Sequence, residues 1–219
     1  MHCIVMKRHD RQRRGGAAIS MLSIVGMLLI AVSFATVANT DTQSSLTEGQ
    51  TQTVGSRSLE AVASEQKALG NVPVDPMRIR IPKLGVEAAV QVVTETKDGS
   101  MGIPTNYTDV GWYSLGARPG EQGTAVMNGH LDGKNTPIAV FHELEQLSVG
   151  DLVEVEDKSG NIWRFTVTGK KHYDYQASTE EVFARDRKAR LNLITCGGDW
   201  VPNEKTYDER VVVFTELIE

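Results

Sequence analysis

Hydrophobic and polar side chains alternate with a period of two along several short segments in the second half of the chain. In residues 152–156, Val153 and Val155 alternate with acidic residues, and residues 162–167 show a similar alternation. This period places one face of a strand on a core and the other in water. Residues 158–161, Lys-Ser-Gly-Asn, predict a hairpin turn between the two segments. The pattern therefore predicts a domain built mainly of β-strands.

Seven segments are predicted as strands because short apolar runs there are bounded by turn-forming residues such as Gly, Pro, Asn and Asp. They are residues 77–81, 86–93, 123–128, 152–156, 162–171, 190–196 and 210–217. Strands in a domain of this size must hide their edges from other chains. The sequence therefore favours a closed or nearly closed barrel over an open sheet.

Two short helices are predicted beside the strands. Residues 136–147, TPIAVFHELEQL, have Pro137 at the second position and apolar residues at the spacing of a short amphipathic helix. Ser178 or Thr179 is suited to cap a second short helix that runs to Phe183. The predicted fold class is thus mostly β with one or two short helices.

An uncharged apolar stretch occupies residues 17–38, near the N-terminus. As a helix it would span about 33 Å, against about 30 Å for the hydrocarbon core of a bilayer. Five of the first 14 residues are Lys or Arg, so the positive-inside bias predicts that residues 1–16 are cytoplasmic and the rest of the chain is outside. A cleaved signal peptide is the alternative, but the stretch exceeds the usual length of about 7 to 15 apolar residues. We expect an uncleaved transmembrane anchor.

The segment that follows the anchor differs in composition from the strand-rich domain. Residues 39–72 are rich in Thr, Ser, Gln and Gly and hold few large apolar side chains. Such a composition cannot bury enough surface to offset the entropy of ordering. We expect a flexible extracytoplasmic linker at residues 39–72 and a folded domain at residues 73–219.

The distribution of charge excludes two classes of partner. The formal net charge is −5 although basic residues crowd the first 14 positions, so the rest of the chain is more acidic still. Without a stripe of Lys and Arg, nucleic acid is not an expected partner. The acidic residues Asp98, Glu121, Asp132 and Glu143 lack the spacing of a calcium loop. We expect no metal and no cofactor, and Asp132 is interpreted as an ordinary loop residue.

The chain has two cysteines, Cys3 and Cys196, at opposite ends of the sequence. This excludes a scaffold of several disulfides and a Cys-based zinc cluster. Cys196 ends an apolar strand and is followed by Gly197 and Gly198, which leave its sulfur approachable. A buried, inert thiol is the alternative, since free cysteine is often buried. A catalytic cysteine needs a neighbouring base or cation to form its thiolate.

Two residues elsewhere in the chain are suited to activate that cysteine. His130 follows the predicted strand at residues 123–128, a position at which a rigid scaffold presents functional side chains. His142 and His172 fit ordinary exposed histidines better. Arg210 begins the last strand, and a guanidinium supplies charged N–H groups for a developing oxyanion. The three candidates for catalysis are Cys196, His130 and Arg210.

The residues around these candidates resemble the sortase family, the cysteine transpeptidases of Gram-positive bacteria. The resemblance rests on LNLITCGG at residues 191–198, on Asn-Gly-His at residues 128–130 and on Arg210, fourteen residues after Cys196. IPKLGV at residues 81–86 and the block at residues 111–120 are most similar to class F sortases. Many class F sequences carry Asn in the region of Arg210, whereas other classes carry Arg there. The similarity covers about residues 76–218.

The resemblance implies a closed eight-stranded sortase-type barrel and a defined reaction. Cys196 would attack the threonyl carbonyl of an LPXTG-like sorting signal and form a thioacyl enzyme. His130 would protonate the departing amine and then accept a proton from the incoming one. Arg210 would hold the substrate and stabilise the oxyanion. Three further residues would shape the site or contact the sorting peptide: Thr195, Gly197 and Trp200.

The implied partners are proteins with LPXTG-like sorting signals and an amine of a peptidoglycan precursor or crossbridge. The enzyme would lie in the cell membrane with its catalytic domain outside and anchor proteins to the cell wall. A sortase-like pilin polymerase and a membrane-tethered binding module without catalysis are the alternatives. An L,D-transpeptidase is disfavoured because its base lies close before the cysteine, whereas His130 is 66 residues upstream of Cys196.

Overall fold

The computed structural model describes residues 5–7, 72–185 and 187–218. Within these residues it has ten strands and two short 3-10 helices. The strands are β1 (Val5–Lys7), β2 (Pro76–Ile81), β3 (Val86–Val93), β4 (Ser100–Met101), β5 (Val110–Tyr113), β6 (Gly123–Asn128), β7 (Leu152–Asp157), β8 (Ile162–Asp174), β9 (Ala189–Val201) and β10 (Thr206–Leu217). The 3-10 helices are Pro82–Leu84 and Leu144–Gln146.

Eight of these strands close into a barrel in the order β10-β8-β7-β2-β3-β5-β6-β9. Neighbouring strands are antiparallel except for the β3/β5 and β6/β9 pairs, which are parallel. The strands β1 and β4 pair separately as a two-stranded sheet. Closure satisfies the strand edges within the sheet itself, and it confirms the prediction of a closed eight-stranded barrel.

The interior of the barrel holds the larger of two apolar clusters. Side chains alternate across each strand, so β9 directs Leu191 and Leu193 inward, and β10 directs Val213 inward beside them. The buried members from the other elements are Ile79, Ile81, Ala88, Val110, Trp112, Ala125, Met127, Phe141, Leu144, Leu147, Val153, Val155, Trp163, Phe165 and Val167. This core fixes the register of the strands, because a slip of one residue would turn every apolar side chain outward.

A second apolar cluster covers the outer face of β6, β9 and β10. Here Val126, Ile194 and Val212, which alternate with the interior residues, meet side chains from other elements. The buried members of these other elements are Val93, Met101, Tyr113 and Val182. Both faces of these three strands are therefore buried, which explains why every residue of β9 from Leu191 to Gly197 is buried.

The predicted helix at residues 136–147 is wrong except for its last turn. The apolar spacing serves to bury Phe141 and Leu144 in the barrel core. The backbone N–H groups of Val140 and Phe141 donate outside the segment, to the carbonyls of Tyr107 and His130, at 2.9 and 3.0 Å. These bonds replace the helical ones, and only Leu144–Gln146 forms a 3-10 helix.

The second predicted helix is a single turn in the structure. The Val182 N–H donates to the Thr179 carbonyl at 2.9 Å, and the Val182 carbonyl accepts from Asn192 Nδ2 at 2.8 Å. Because the carbonyl of Val182 is bonded to β9, the turn is tied to the barrel instead of continuing as a helix. Among the described residues, α-helix does not occur.

The predicted anchor at residues 17–38 and nearly all of the predicted linker at residues 39–72 lie outside the described residues. In the part of the chain that the structure describes, no helix combines the length and apolar character needed to cross a bilayer.

Candidate active site

The register of the last two strands brings Cys196 and Arg210 together. On the antiparallel pair of β9 and β10, Arg210 lies directly opposite Cys196. Directly opposed residues project from the same face and are nearest neighbours. This is the outer face, because Ile194 and Val212, two residues away on each strand, belong to the outer apolar cluster. Both side chains are deeply buried, with 2% of Cys196 and 0% of Arg210 exposed.

The parallel pairing of β6 with β9 brings His130 to the same place. Asn128 lies opposite Ile194, and His130 and Cys196 each follow two residues later. Both side chains line one small pocket, and His130 is only 7% exposed. The residues that line this pocket, called the cysteine pocket below, are His130, Leu131, Asp132, Cys196, Trp200, Thr206 and Tyr207.

His130 is held by contacts on its ring and on the residue before it. Its Nε2 lies 3.2 Å from the carbonyl oxygen of Pro104, and the edge of its ring meets Tyr107, with ring centroids 5.0 Å apart. The Thr195 hydroxyl donates to the carbonyl of Gly129 at 2.9 Å. Because a carbonyl oxygen only accepts, Nε2 carries the proton in this contact.

Main-chain and side-chain oxygens of its own strand hold the guanidinium of Arg210. Nη1 donates to the carbonyls of Tyr207 and Glu209 at 2.9 and 2.7 Å, and Nη2 donates to the Thr206 hydroxyl at 2.9 Å. The ring of Tyr175 lies 6.0 Å from the guanidinium carbon. These contacts fix the position of the guanidinium.

Burial changes the acidity of this arginine without removing its charge. Desolvation lowers the pKa of Arg210 to about 10, against the opposing effects of Tyr175, Asp174 and Asp208. Arg210 is therefore a cation at neutral pH, carried by the residue directly opposite Cys196.

A β-bulge begins two residues after Cys196. Two residues of β9, Gly198 and Asp199, face the single residue Asp208 of β10. Gly198 has φ 73°, in the left-handed region that glycine adopts without strain. The Asp199 N–H donates to the Asp208 carboxylate at 2.7 Å. The bulge bends the two strands, and the residues beyond it, Trp200 and Tyr207, line the cysteine pocket.

A contact between Asp132 and Tyr207 joins the two sides of this pocket. The sequence did not predict this contact. The Tyr207 hydroxyl donates to the Asp132 carboxylate through a short hydrogen bond, and the Tyr207 ring meets Trp200 edge to face with centroids 5.3 Å apart. Burial, and then the bond to Asp132, raise the pKa of Tyr207 to about 12, so the hydroxyl stays a donor at neutral pH. The one feature of the sequence that pointed to a role for Asp132 in the site was its position two residues after His130.

A family model named Sortase domain matches residues 79–218, well over half of the chain. The chain belongs to the sortase family. The resemblance of the sequence motifs to that family is confirmed, and the protein is a sortase-type cysteine transpeptidase. No curated protein matches the sequence.

Solved sortases share the fold at low sequence identity. Sortase C-1 from Actinomyces oris is 21% identical, covers 71% of this chain and 81% of its own, and has a TM-score of 0.52. A lid mutant of sortase A from Corynebacterium diphtheriae is 18% identical, covers 74% and 81%, and also scores 0.52. Sortase C2 of pilus island 1 from Group B Streptococcus is 21% identical, covers 65% and 73%, and scores 0.50. These three belong to classes A and C, and class F stays a prediction for this sortase.

The predicted site residues of the sortase divide into two groups. His130, Cys196 and Trp200 line the cysteine pocket, and Arg210 lies opposite Cys196. Thr195 and Gly197, predicted to contact substrate, do not line that pocket. Thr195 lines a separate small pocket beside His130.

Gly197 has a packing reason for being glycine. A Cβ at this position would come within 2.7 Å of Cγ2 of Val211, closer than Cβ atoms approach other atoms in proteins. The residue is buried on β9, next to Cys196. Its missing side chain therefore lets β9 and β10 pack closely at the site.

The charge state of Cys196 affects what the site can do, because the thiolate and not the thiol attacks a carbonyl. With Cys196 as a thiolate, the site combines a nucleophile, an imidazole for proton transfer and a buried cation, the groups that acyl transfer requires. Within the described residues, His, Cys, Asp and Glu form no cluster of three or more that could hold a metal ion.

Proposed function

We propose that this sortase cleaves an LPXTG-like sorting signal at its threonine and transfers the threonyl group to an amine of the cell wall. The observation that carries the proposal is the register that sets Arg210 opposite Cys196 and brings His130 to the same pocket. A thiol, an imidazole and a buried guanidinium at one point suit a reaction that passes through tetrahedral oxyanions.

In the first half-reaction, the Cys196 thiolate attacks the threonyl carbonyl carbon and a C–S bond forms. The oxyanion develops beside Arg210, whose buried charge stabilises it more than an exposed one would. The peptide C–N bond then breaks as the imidazolium of His130 donates a proton to the departing amine. The products are a thioacyl enzyme and a free C-terminal fragment of the sorting signal.

In the second half-reaction, an acceptor amine attacks the thioester carbonyl. Neutral His130 accepts the proton that the amine loses, the C–S bond breaks, and the thiolate returns. If the thiol and the imidazole titrated independently, with the ordinary pKa values of about 8.5 for Cys and about 6.5 for His, only a small fraction of the enzyme would carry both charges near neutral pH, and turnover would be slow.

We further propose that the enzyme is a single-pass membrane protein with its catalytic domain outside the cell. The uncharged stretch at residues 17–38 and the basic residues before it support this orientation. The pairing of β1 with β4 does not fit it, because residues 5–7 would lie in the cytoplasm and β4 outside. The motifs at residues 81–86 and 111–120 support assignment to class F. The acceptor we propose is an amine of a peptidoglycan precursor or crossbridge.

The test uses the full chain in detergent with a phosphine reductant, a quenched LPXTG-type peptide and triglycine as the amine. Mass spectrometry follows the thioacyl adduct and the exchanged product. We expect both for the wild type, neither for Cys196→Ala, and strongly reduced amounts for His130→Ala and Arg210→Ala. A peptide with its threonine replaced by alanine controls for motif recognition.

The alternative of a binding module without catalysis predicts a different result. The reduced protein would then give no adduct with any sorting peptide, and folded Cys196 would resist alkylation. That pair of results would reject the proposed transpeptidation.

A further inference from the structure

Tyr207 contacts both halves of the catalytic machinery. Its hydroxyl donates to the carboxylate of Asp132, two residues after His130. Its main-chain carbonyl accepts from Nη1 of Arg210 at 2.9 Å. The loop that carries the imidazole and the strand that carries the guanidinium are thereby joined through one residue, although Asp132 and Tyr207 are 75 positions apart in the sequence.

The contacts of Tyr207 lie in the cysteine pocket itself. Asp132, Tyr207 and Trp200 line it together with His130 and Cys196. His130 exchanges protons with the departing and incoming amines in the proposed reaction. A contact between the two walls of this pocket therefore lies next to the group that moves these protons.

We propose that Tyr207 is a positioning residue, whose hydrogen bond to Asp132 holds the His130 loop in register with Cys196 and Arg210 during transpeptidation. This inference rests on the proposed function. Tyr207 forms no bond with the reacting atoms and acts through its two partners.

The chemistry of the bond suits a permanent link. A phenol with its pKa raised to about 12 stays protonated at and well above neutral pH. A carboxylate acceptor makes the bond stronger than one between neutral groups. The edge-to-face contact with Trp200 fixes the plane of the ring, so the hydroxyl is aimed at Asp132 before substrate binds.

The test compares Tyr207→Phe, Asp132→Ala and the double variant with the wild type, as reduced full chains in detergent. Tyr207→Phe keeps the ring and the carbonyl that binds Arg210 and removes only the hydroxyl. We expect kcat to fall about tenfold in each single variant, with KM for the sorting peptide within about twofold of wild type. The double variant should be no slower than the slower single one, because both remove one bond. Asp132→Asn, which keeps an acceptor oxygen, should recover part of the loss.

Tyr173→Phe is the matched control. The Tyr173 hydroxyl donates to the Glu181 carboxylate at 2.8 Å, a bond of the same kind that lies outside the cysteine pocket. Tyr173 lies opposite Arg210 on the β8/β10 pair, so the control also reports any effect that passes through the strand of Arg210. This variant reports the general effect of losing a tyrosine–carboxylate bond. The proposal is overturned if Tyr207→Phe loses no more activity than Tyr173→Phe, or if the losses of the Tyr207 and Asp132 variants simply add.

A readout independent of turnover separates this inference from the proposed function. Iodoacetamide alkylates the Cys196 thiolate, whose population depends on a nearby imidazolium. We expect Tyr207→Phe to slow alkylation of the reduced protein severalfold and Tyr173→Phe to leave the rate unchanged. If the wild type turns over no sorting peptide, the proposed function is wrong. If wild type and Tyr207→Phe are alkylated at equal rates, the positioning role of Tyr207 is wrong, whatever the result for turnover.

Discussion

The residues of the site are held in two different ways. Cys196 and Arg210 lie on adjacent strands, where the β9/β10 ladder fixes their relation through a run of paired residues. His130 and Asp132 lie on the connection after β6, beyond the last paired residue, Asn128. On the strands, many bonds and a buried core hold each position, whereas on the loop individual hydrogen bonds do so.

This difference predicts how each part responds to substitution. A strand residue cannot shift by a fraction of its register, so changing Cys196 or Arg210 alters the chemistry at a fixed point. A loop residue shifts gradually when one bond is lost, and catalysis is sensitive to displacements of about 1 Å. We call Cys196 and Arg210 the strand half of the site, and the His130 loop the loop half. Substitutions in the strand half should therefore slow the chemical step itself, whereas substitutions in the loop half should lower activity by misaligning His130.

The largest effect is expected at Arg210. Arg210→Gln removes the buried charge and part of the bonding to Tyr207, Glu209 and Thr206. Loss of an oxyanion donor lowers kcat by about 10²- to 10³-fold, and we expect the upper end of that range. The measurement is kcat for transpeptidation in Arg210→Gln, with circular dichroism to verify folding. A folded variant within tenfold of wild type would show that this cation does not stabilise the oxyanion.

The next largest effect is expected just before His130. A Cβ on Gly129 would lie 2.6 Å from Cδ2 of Phe141 and 2.7 Å from Cγ1 of Val140, so Gly129→Ala must displace the loop. We expect kcat/KM to fall about 10²-fold, as for a misplacement of about 1 Å. Gly169→Ala on β8 is the matched control, because a Cβ there meets nothing within 4 Å. Equal activity in the two variants would contradict the alignment argument.

Much of the strand half was predictable from the sequence, because apolar runs mark strands and Cys196 ends one of them. Seven of the eight barrel strands were predicted, and β5 (Val110–Tyr113) was missed because it is short and contains Gly111. The loop half was less accessible. Contacts such as that of Tyr207 with Asp132 join positions that are distant in the sequence and leave no periodic pattern. The segment at residues 136–147 has the apolar spacing of a helix, but its backbone N–H groups donate to other segments, including the His130 loop.

A smaller loss of alignment is expected at Thr195, whose hydroxyl reaches across to the loop. Thr195→Val keeps the shape of the side chain but removes the bond to the Gly129 carbonyl. We expect kcat to fall about tenfold, the equivalent of one buried hydrogen bond. Thr195→Ser keeps the donor and should stay within about twofold of wild type. Activity at wild-type level in Thr195→Val would mean that Pro104 and Tyr107 suffice to hold His130.

The smallest effect on activity is expected at Asp157, in the β7–β8 hairpin three strands from β9. Its buried carboxylate accepts bonds from the N–H groups of Ser159 and Asn161, from the Asn161 amide and from Trp163 Nε1, at 2.9 to 3.0 Å. Burial alone would raise the pKa of Asp157, but these bonds outweigh it and lower the pKa below its usual value. Asp157→Asn should therefore cost about 2 to 3 kcal/mol of stability at pH 7.

The pH dependence of that cost tests its origin. A carboxyl whose pKa is lower when folded stabilises the protein above its unfolded pKa of about 3.9 and loses this effect as the pH falls through the folded pKa. The gap in unfolding free energy between wild type and Asp157→Asn should be full at pH 7 and shrink below about pH 4. Denaturant unfolding at pH 7 and pH 3 measures it. Folded Asp157→Asn should keep kcat within about twofold of wild type, because a bond that stabilises the barrel far from the site aligns no reacting group. A tenfold loss of kcat would show that the far side of the barrel also determines the alignment of the His130 loop.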